Sequence, residues 1–347
     1  MRILRLTLVA AAIATALGPL PPWVVEAWYS RGLYPRVQPL VTLASNLVPI
    51  ALLDLTAAVL VTGVIALTIR RVRRDGVRIA ARRTLVTLVV LAAALYLWFV
   101  LLWGLNYGRI PLEHRIAYDP SRVTRDAALK FGGVAIERAN ALQPASTAPG
   151  NETEALSYAL ADVEHALGAT RYAHLGRPKR SLVQWYFRKA AIDGMTNPFH
   201  LEIILHPDLL PFERPFVLAH EWAHLAGYAD ESEANFVAWL TCLNGPPAAQ
   251  YSGWLSAYEH VAAALPRADQ QALRSRLSPA VIADLAAARA RVARANPTIT
   301  NAARGAYDTY LRANRIEEGI ANYNLVVRLM LGTTYRDGWR PELRRGR

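Results

Sequence analysis

The apolar positions of this chain crowd into three long runs in its first third. Residues 4–20 are almost free of charge after Arg5, residues 47–69 are apolar apart from Asp54 and a few small polar residues, and residues 84–105 are rich in Leu, Val and Ala. A bilayer crossing takes about 20 such residues. The second and third runs therefore predict membrane-spanning helices. The first is shorter and stops at Gly18-Pro19-Leu20-Pro21-Pro22, which suits a short span or an uncleaved signal anchor, with a cleaved signal peptide as the competing reading. The expected organisation is a membrane domain over residues 1–107, with transmembrane helices near 4–22, 47–69 and 84–106, and a second domain over residues 108–347.

Beyond residue 107 the periodicity is mainly helical. Helical patterns run from about 119 to 141 and from 152 to 167, on either side of a Pro/Ser/Gly linker at 143–151. Turn signals then surround residues 201–205, which read as a short strand. Helical patterns resume over 216–227, 251–265 and 269–295, the last a long Ala/Arg-rich amphipathic stretch, and a final helix ends near 331. The fold class is mainly α: transmembrane helices followed by an α-rich (α+β) domain with a short sheet.

Charge orients this plan. The formal net charge is +12, and the connector at residues 70–83 holds seven arginines and one Asp. Basic connectors stay in the cytoplasm, and Arg2 and Arg5 place the N-terminus there too. Three crossings then deliver everything after Tyr107 to the extracytoplasmic side. Arginines squeezed between two membrane-length segments are a topology signal, so nucleic acid is not an expected partner; the bilayer is. The single cysteine, Cys242, excludes an intrachain disulfide and reads as a buried small hydrophobe. Asp54 reads as a structural carboxylate near the outer end of its span, within reach of water or a partner such as Arg109.

The candidate chemistry lies in His220-Glu221-Trp222-Ala223-His224. On a helix, residues four apart share a face, so both imidazoles can meet one metal ion, and Glu221 stands where a general base can take a proton from a polarised water. Pro215 suits the first turn of that helix, Glu213 its positive end, and Gly227 the position past its last turn. A catalytic zinc site takes three protein ligands. Three carboxylates compete for the third place: Glu231, followed at four residues by Asn235 as a possible partner for a ligand histidine; Glu233, equally suited to a capping box with Asp230; and Asp230 itself. Tyr307, Tyr310, Arg312 and Tyr323 are candidates to stabilise a developing oxyanion.

Trp103-Gly-Leu-Asn-Tyr-Gly-Arg-Ile-Pro-Leu112, the His220 motif with Leu225-Ala-Gly-Tyr228, Glu231-Ser-Glu-Ala-Asn-Phe236 and Tyr307-Asp-Thr-Tyr-Leu-Arg-Ala-Asn314 together resemble the bacterial membrane family catalogued as domain of unknown function 3810. The resemblance spans nearly the whole chain. It implies a multi-pass protein of the bacterial cytoplasmic membrane whose extracytoplasmic domain is a zincin-like, gluzincin-type metallopeptidase. The 231–235 pattern is also similar to the third-ligand helix of prenyl-protein (CAAX) peptidases, which favours Glu231. Trp222 departs from the family habit of a smaller residue there.

The reaction so implied is peptide hydrolysis: His220, His224 and Glu231 hold Zn²⁺, and Glu221 takes the proton of the attacking water and passes it to the leaving amine. The substrate is a peptide or protein. The strand at 201–205, beside the motif helix in sequence order, could pair with an extended substrate. One alternative is a non-catalytic envelope-assembly protein whose closed metal site recruits His206 or His260. Another is a hydrolase of a non-peptide amide.

Overall fold

The computed structural model describes residues 2–146, 152–314 and 325–344. Helix dominates, at 72% of the chain. The apolar runs form α1 (Arg2–Leu17), α3 (Leu52–Asp75) and α4 (Val77–Leu102). Of these, α3 and α4 are long and apolar enough to cross a membrane. The arginine connector is not a loop. It continues both helices, which turn back on each other at Gly76, whose φ of +78° costs a glycine nothing.

The first run behaves differently from its prediction as one span to residue 22. After α1 the chain bends by 112° into α2 (Pro22–Asn46), and only the bent pair together has the length and hydropathy of a third span. No part of 22–46 was expected to be a helix that packs on the domain, yet it does. Glu26, Ser30, Tyr34, Gln38 and Thr42 are all buried, at a constant spacing of four. Four residues overshoot an α turn and fall short of the wider π turn, so the π-helical stretch Val25–Leu33, which holds Glu26 and Ser30, offsets the drift of the α-helical positions 34, 38 and 42. Those positions are hydrogen-bonded to the domain: Tyr34 Oη donates to Leu225 O at 2.9 Å, Gln38 Nε2 to His174 O at 2.7 Å and Thr42 Oγ1 to Leu201 O at 2.9 Å. The hydrophobic core accordingly takes Val25, Tyr29 and Tyr34 from before residue 107, with Phe99 and Trp103.

Among the described residues the remaining helices of seven residues or more are α5 (Arg125–Leu142), α6 (Glu152–Ala166), α7 (Gln184–Ala190), α8 (Arg214–Leu225), α9 (Glu231–Leu243), α10 (Pro247–Ala264), α11 (Arg267–Arg274), α12 (Pro279–Val292), α13 (Pro297–Ala313) and α14 (Val326–Gly332). The centre is α9, buried on nearly every side. Phe131, Trp239, Trp254 and Trp339 pack edge to face around it. The pattern read as one helix over 269–295 is two, because Ser278 caps α12 by accepting from Val281 N and Pro279 occupies its first turn. The polar 307–323 stretch begins inside α13.

The sheet is small. β1 (Pro178–Lys179) pairs in parallel with β3 (Glu202–Leu205), and β2 (Gly194–Asn197) pairs antiparallel with β3 on the other side, Thr196 opposite Ile203. The strand expected at 201–205 is therefore the central one. The edge strand beside α8 is β2, a segment that read only as a turn.

Candidate metal centre

The helix carrying the motif starts and stops where its residues require. Pro215 sits in the first turn of α8, and Gly227, at φ +86°, turns the chain out of it. His220 and His224 lie one above the other, ring centroids 4.6 Å apart and nearly perpendicular. Their Nε2 atoms converge to 3.1 Å. The other nitrogen of His224 faces Tyr228 O at 2.7 Å, so a proton there leaves the Nε2 lone pair for the cluster. Trp103, the first residue after α4, donates from Nε1 to His224 O at 3.3 Å and lays its ring 6.0 Å from the imidazole.

Of the three competing carboxylates, the structure brings Glu231 to the histidines. Its oxygens lie 3.3 Å from His220 Nε2 and 3.6 Å from His224 Nε2. These three residues offer donor atoms within 4.8 Å of one another, the one such group among the described residues. Asp230 instead caps α9, accepting from Ser232 N at 2.8 Å and Glu233 N at 3.2 Å. Glu233, two residues along and so on another side of the helix, accepts from Leu112 N. Burial and the Asp230 charge push its carboxyl up to about 7, against the pull of Arg115.

The donor set suits a cation. Glu231 Oε2 is buried and accepts no hydrogen bond, and His220 Nδ1 is buried without a partner among the described residues. Burial would raise the Glu231 carboxyl, but the charges of His224 and His220 outweigh it and hold it well below the usual range. Burial would likewise lower His224, yet Glu231 lifts it to about 9. Two imidazoles and a carboxylate are ligands of a kind that zinc accepts.

Glu221 is buried beside them, its carboxyl raised above the ordinary value chiefly by burial, against the lowering charges of His220 and His224. Thr196 on β2 donates to Glu221 Oε2 at 2.8 Å or to its backbone oxygen at 2.9 Å. A Cβ at Gly194 would overlap Glu221 Oε1, so the strand approaches this closely only because that position is glycine. Neither residue was foreseen; the one signal was a Gly and a Thr two apart in a short segment before the motif.

Tyr307 and Tyr310, on one side of α13, reach the site. Tyr307 Oη donates to Glu231 Oε1, and Tyr310 stacks on Tyr307 at 5.8 Å while accepting from Tyr107 Oη at 3.3 Å. Burial raises the Tyr310 hydroxyl well above its usual value. Tyr323 lies outside the described residues. Arg312 pairs with Asp308 at 2.8 Å. Asn235 makes no hydrogen bond to His220 or His224: its Nδ2 is buried without a partner among the described residues. His206 accepts from Asp208 N through Nδ1. His260, packed 6.5 Å from the Phe216 ring, is kept neutral by burial, its pKa lowered to about 4. Neither belongs to the three-residue group. Asp54 accepts from Leu182 N and Ser181 Oγ, not from Arg109, which pairs with Glu26 at 3.1 Å. Cys242 is buried as expected. A cavity of about 910 Å³ lies away from this centre, lined by Asp119, Asp162, His165, Arg336 and Arg340.

No curated protein and no solved structure matches the chain. A family model described as protein of unknown function (DUF3810) matches residues 29–331, a span that takes in most of α2, both membrane-length helices, the three converging side chains and Tyr307. The chain belongs to that family.

Proposed function

We propose that the protein is a membrane-anchored zinc metallopeptidase. The observation that carries the reading is the convergence of His220 Nε2, His224 Nε2 and the Glu231 carboxylate, within 4.8 Å of one another, beside the buried carboxylate of Glu221. Zn²⁺ bound by those three would polarise a scissile carbonyl and acidify a bound water. Glu221 then takes the proton of the attacking water and delivers it to the leaving amine, its raised pKa suiting it to both tasks. Thr196 holds one Glu221 oxygen, and Gly194 keeps space against the other. Tyr307 steadies Glu231 from the opposite side.

A peptide substrate suits the edge strand. β2 pairs with β3 on one side only, so an extended peptide can add to its free edge next to Glu221. The arginines around Gly76 favour a cytoplasmic turn with the metal centre on the other side, in the inner membrane of a bacterium, with α1 as a short third crossing that ends at the 112° bend into α2.

Elemental analysis of the purified full chain tests the site. About one zinc in the wild type and none in His220→Ala supports it, as one tetrahedral centre requires. Glu221→Gln should keep the metal and lose hydrolysis of a peptide library. A wild type that takes up no zinc at neutral pH, or a Glu221→Gln variant as active as wild type, overturns the reading.

A further inference from the structure

The polarity of the second half of α2 is inverted relative to a helix at a protein surface. From Gln38 on, its inward side is polar and hydrogen-bonded: Gln38 is 1% exposed and exchanges hydrogen bonds with His174 O and N, Thr42 bonds Leu201 O, and Ser45 accepts from Lys179 Nζ at 2.8 Å. Its outward side is apolar. Trp28 is 76% exposed, Leu40 68% and Leu47 84%, with Trp23, Leu33 and Leu43 also outside. A helix facing water places these two sets the other way round.

A second exposed apolar group adjoins it. Residues 182–186 present Leu182, Val183, Trp185 and Tyr186 to the outside. The backbone before them is joined to the end of α2 and the start of α3: Arg177 N donates to Asn46 Oδ1, Ala51 N donates to Arg180 O, and Leu182 N donates to Asp54. Asp54 lies in the first turn of α3, one turn before the exposed Val59. The two apolar surfaces therefore meet at the level where α3 enters its apolar stretch. Trp98, near the end of α4, is exposed at the corresponding depth, its Nε1 bonded to Phe199 O.

We infer that the outward side of α2 and the 182–186 knuckle lie in the lipid–water interface, so that the domain bearing the metal centre sits on the bilayer rather than hanging from its spans. Lipid is the one occupant that is continuous with the membrane-length helices on the same side. Trp and Tyr with Leu, bordered by Arg31, Arg36, Arg180 and Arg188, have the chemistry of that interface, where aromatic rings and long basic side chains straddle the boundary. An exposed apolar surface of this extent is otherwise a liability in water. The inference rests on α3 and α4 crossing the membrane and is independent of the proposed reaction.

The one native cysteine, Cys242, is fully buried, so single cysteines can carry an environment-sensitive fluorophore. The sites are Leu43→Cys and Leu182→Cys for the interface, Val59→Cys for the span and Glu137→Cys for the aqueous side, in the full chain reconstituted into phosphatidylcholine vesicles with a minority of phosphatidylglycerol. Labels at 43 and 182 are expected to show blue-shifted emission, loss of intensity with a headgroup nitroxide lipid, and protection from iodide, while the 137 label is quenched by iodide. If the Val59 label is in lipid but those at 43 and 182 are quenched by iodide like 137, or escape both quenchers because protein covers them, the inference is wrong. If the Val59 label is itself open to iodide, the spanning reading fails first and takes the inference with it.

Discussion

The Tyr307 hydroxyl donates a hydrogen bond to Glu231, the carboxylate that the two motif histidines face. The bond joins α13 to the first residue of α9 across 76 residues of sequence, and Tyr310 and Tyr107 extend it to the end of α4. A hydrogen-bonded carboxylate is an oriented one, and such partners of a ligand commonly matter about 10- to 100-fold in metal affinity. Tyr307→Phe is therefore expected to weaken zinc binding about ten-fold without unfolding the protein, as read by competition with a chromophoric chelator. Unchanged affinity would remove Tyr307 from the support of Glu231.

Glu231 and Glu233 separate cleanly by substitution. Glu231→Gln should abolish stoichiometric metal, since a neutral amide is a weaker donor and leaves the cation with two neutral imidazoles and no anionic ligand. Glu233→Gln should retain it, because that side chain accepts from Leu112 N, away from the histidines. Metal content of the two purified variants checks this, and metal retained in Glu231→Gln but lost in Glu233→Gln would reverse the assignment.

These outcomes bear on what was legible in the chain. The α8 helix, its bounds and both histidines follow from local rules: a proline near one end, a glycine past the other, and a spacing of four. The choice among Asp230, Glu231 and Glu233 does not. Asp230 is withdrawn by capping and Glu233 by the backbone of residue 112, and both depend on how α9 is rotated in a core drawn from the whole chain. The helix α2 was hidden for a related reason. Its buried positions mix Val25, Tyr29 and Tyr34 with the polar Glu26, Ser30, Gln38, Thr42 and Ser45, while Trp23, Trp28, Leu33, Leu40 and Leu43 are exposed, so hydrophobic periodicity marks no single inward face. Edge strand β2 is four residues long and contains Gly194, too short and too poor in β-branched residues for a strand signal.

The hydrogen bond from Thr196 to Glu221 predicts a kinetic effect without loss of metal. Thr196→Val keeps the shape and removes the donor, so kcat for peptide hydrolysis should fall about ten-fold with KM little changed, while Thr196→Ser restores most of it. A change confined to KM would instead assign Thr196 to substrate binding.

Stability should depend on pH through Glu164. This carboxyl, on α6, is buried and accepts from Ala173 N; burial outweighs that bond and the Arg109 charge and raises it from an ordinary 4.5 to about 8. The folded protein then holds a proton that the unfolded chain has released. Stability from this group is fully present below about 4.5 and is lost as pH rises towards about 8, at up to about 1.4 kcal/mol per pH unit. Glu164→Gln mimics the protonated form. The melting temperature of wild type should fall between pH 5 and 8 relative to that variant, and parallel profiles would show that the group titrates normally.

The buried pair Lys179–Glu202 makes a last prediction, and one that differs from an ordinary ion pair. The two lie 2.9 Å apart with side chains almost wholly out of solvent. Removing one partner of such a pair strands the other and costs about 3–5 kcal/mol, so Lys179→Met should lower the melting temperature sharply. Replacing both partners by apolar residues is often neutral elsewhere. Here it should not be, because Glu202 also accepts from Leu52 N and Leu53 N at 2.9 Å and from Asn197 Nδ2 at 2.8 Å. Those amides open α3, and without the carboxylate they lose their acceptors at the point where a membrane-length helix leaves the domain. The double variant Lys179→Met with Glu202→Leu is thus expected to remain at least as unstable as Lys179→Met alone in thermal unfolding of the detergent-solubilised full chain. Recovery to near wild-type stability would show that the pair, and not the anchoring of α3, is what the carboxylate serves.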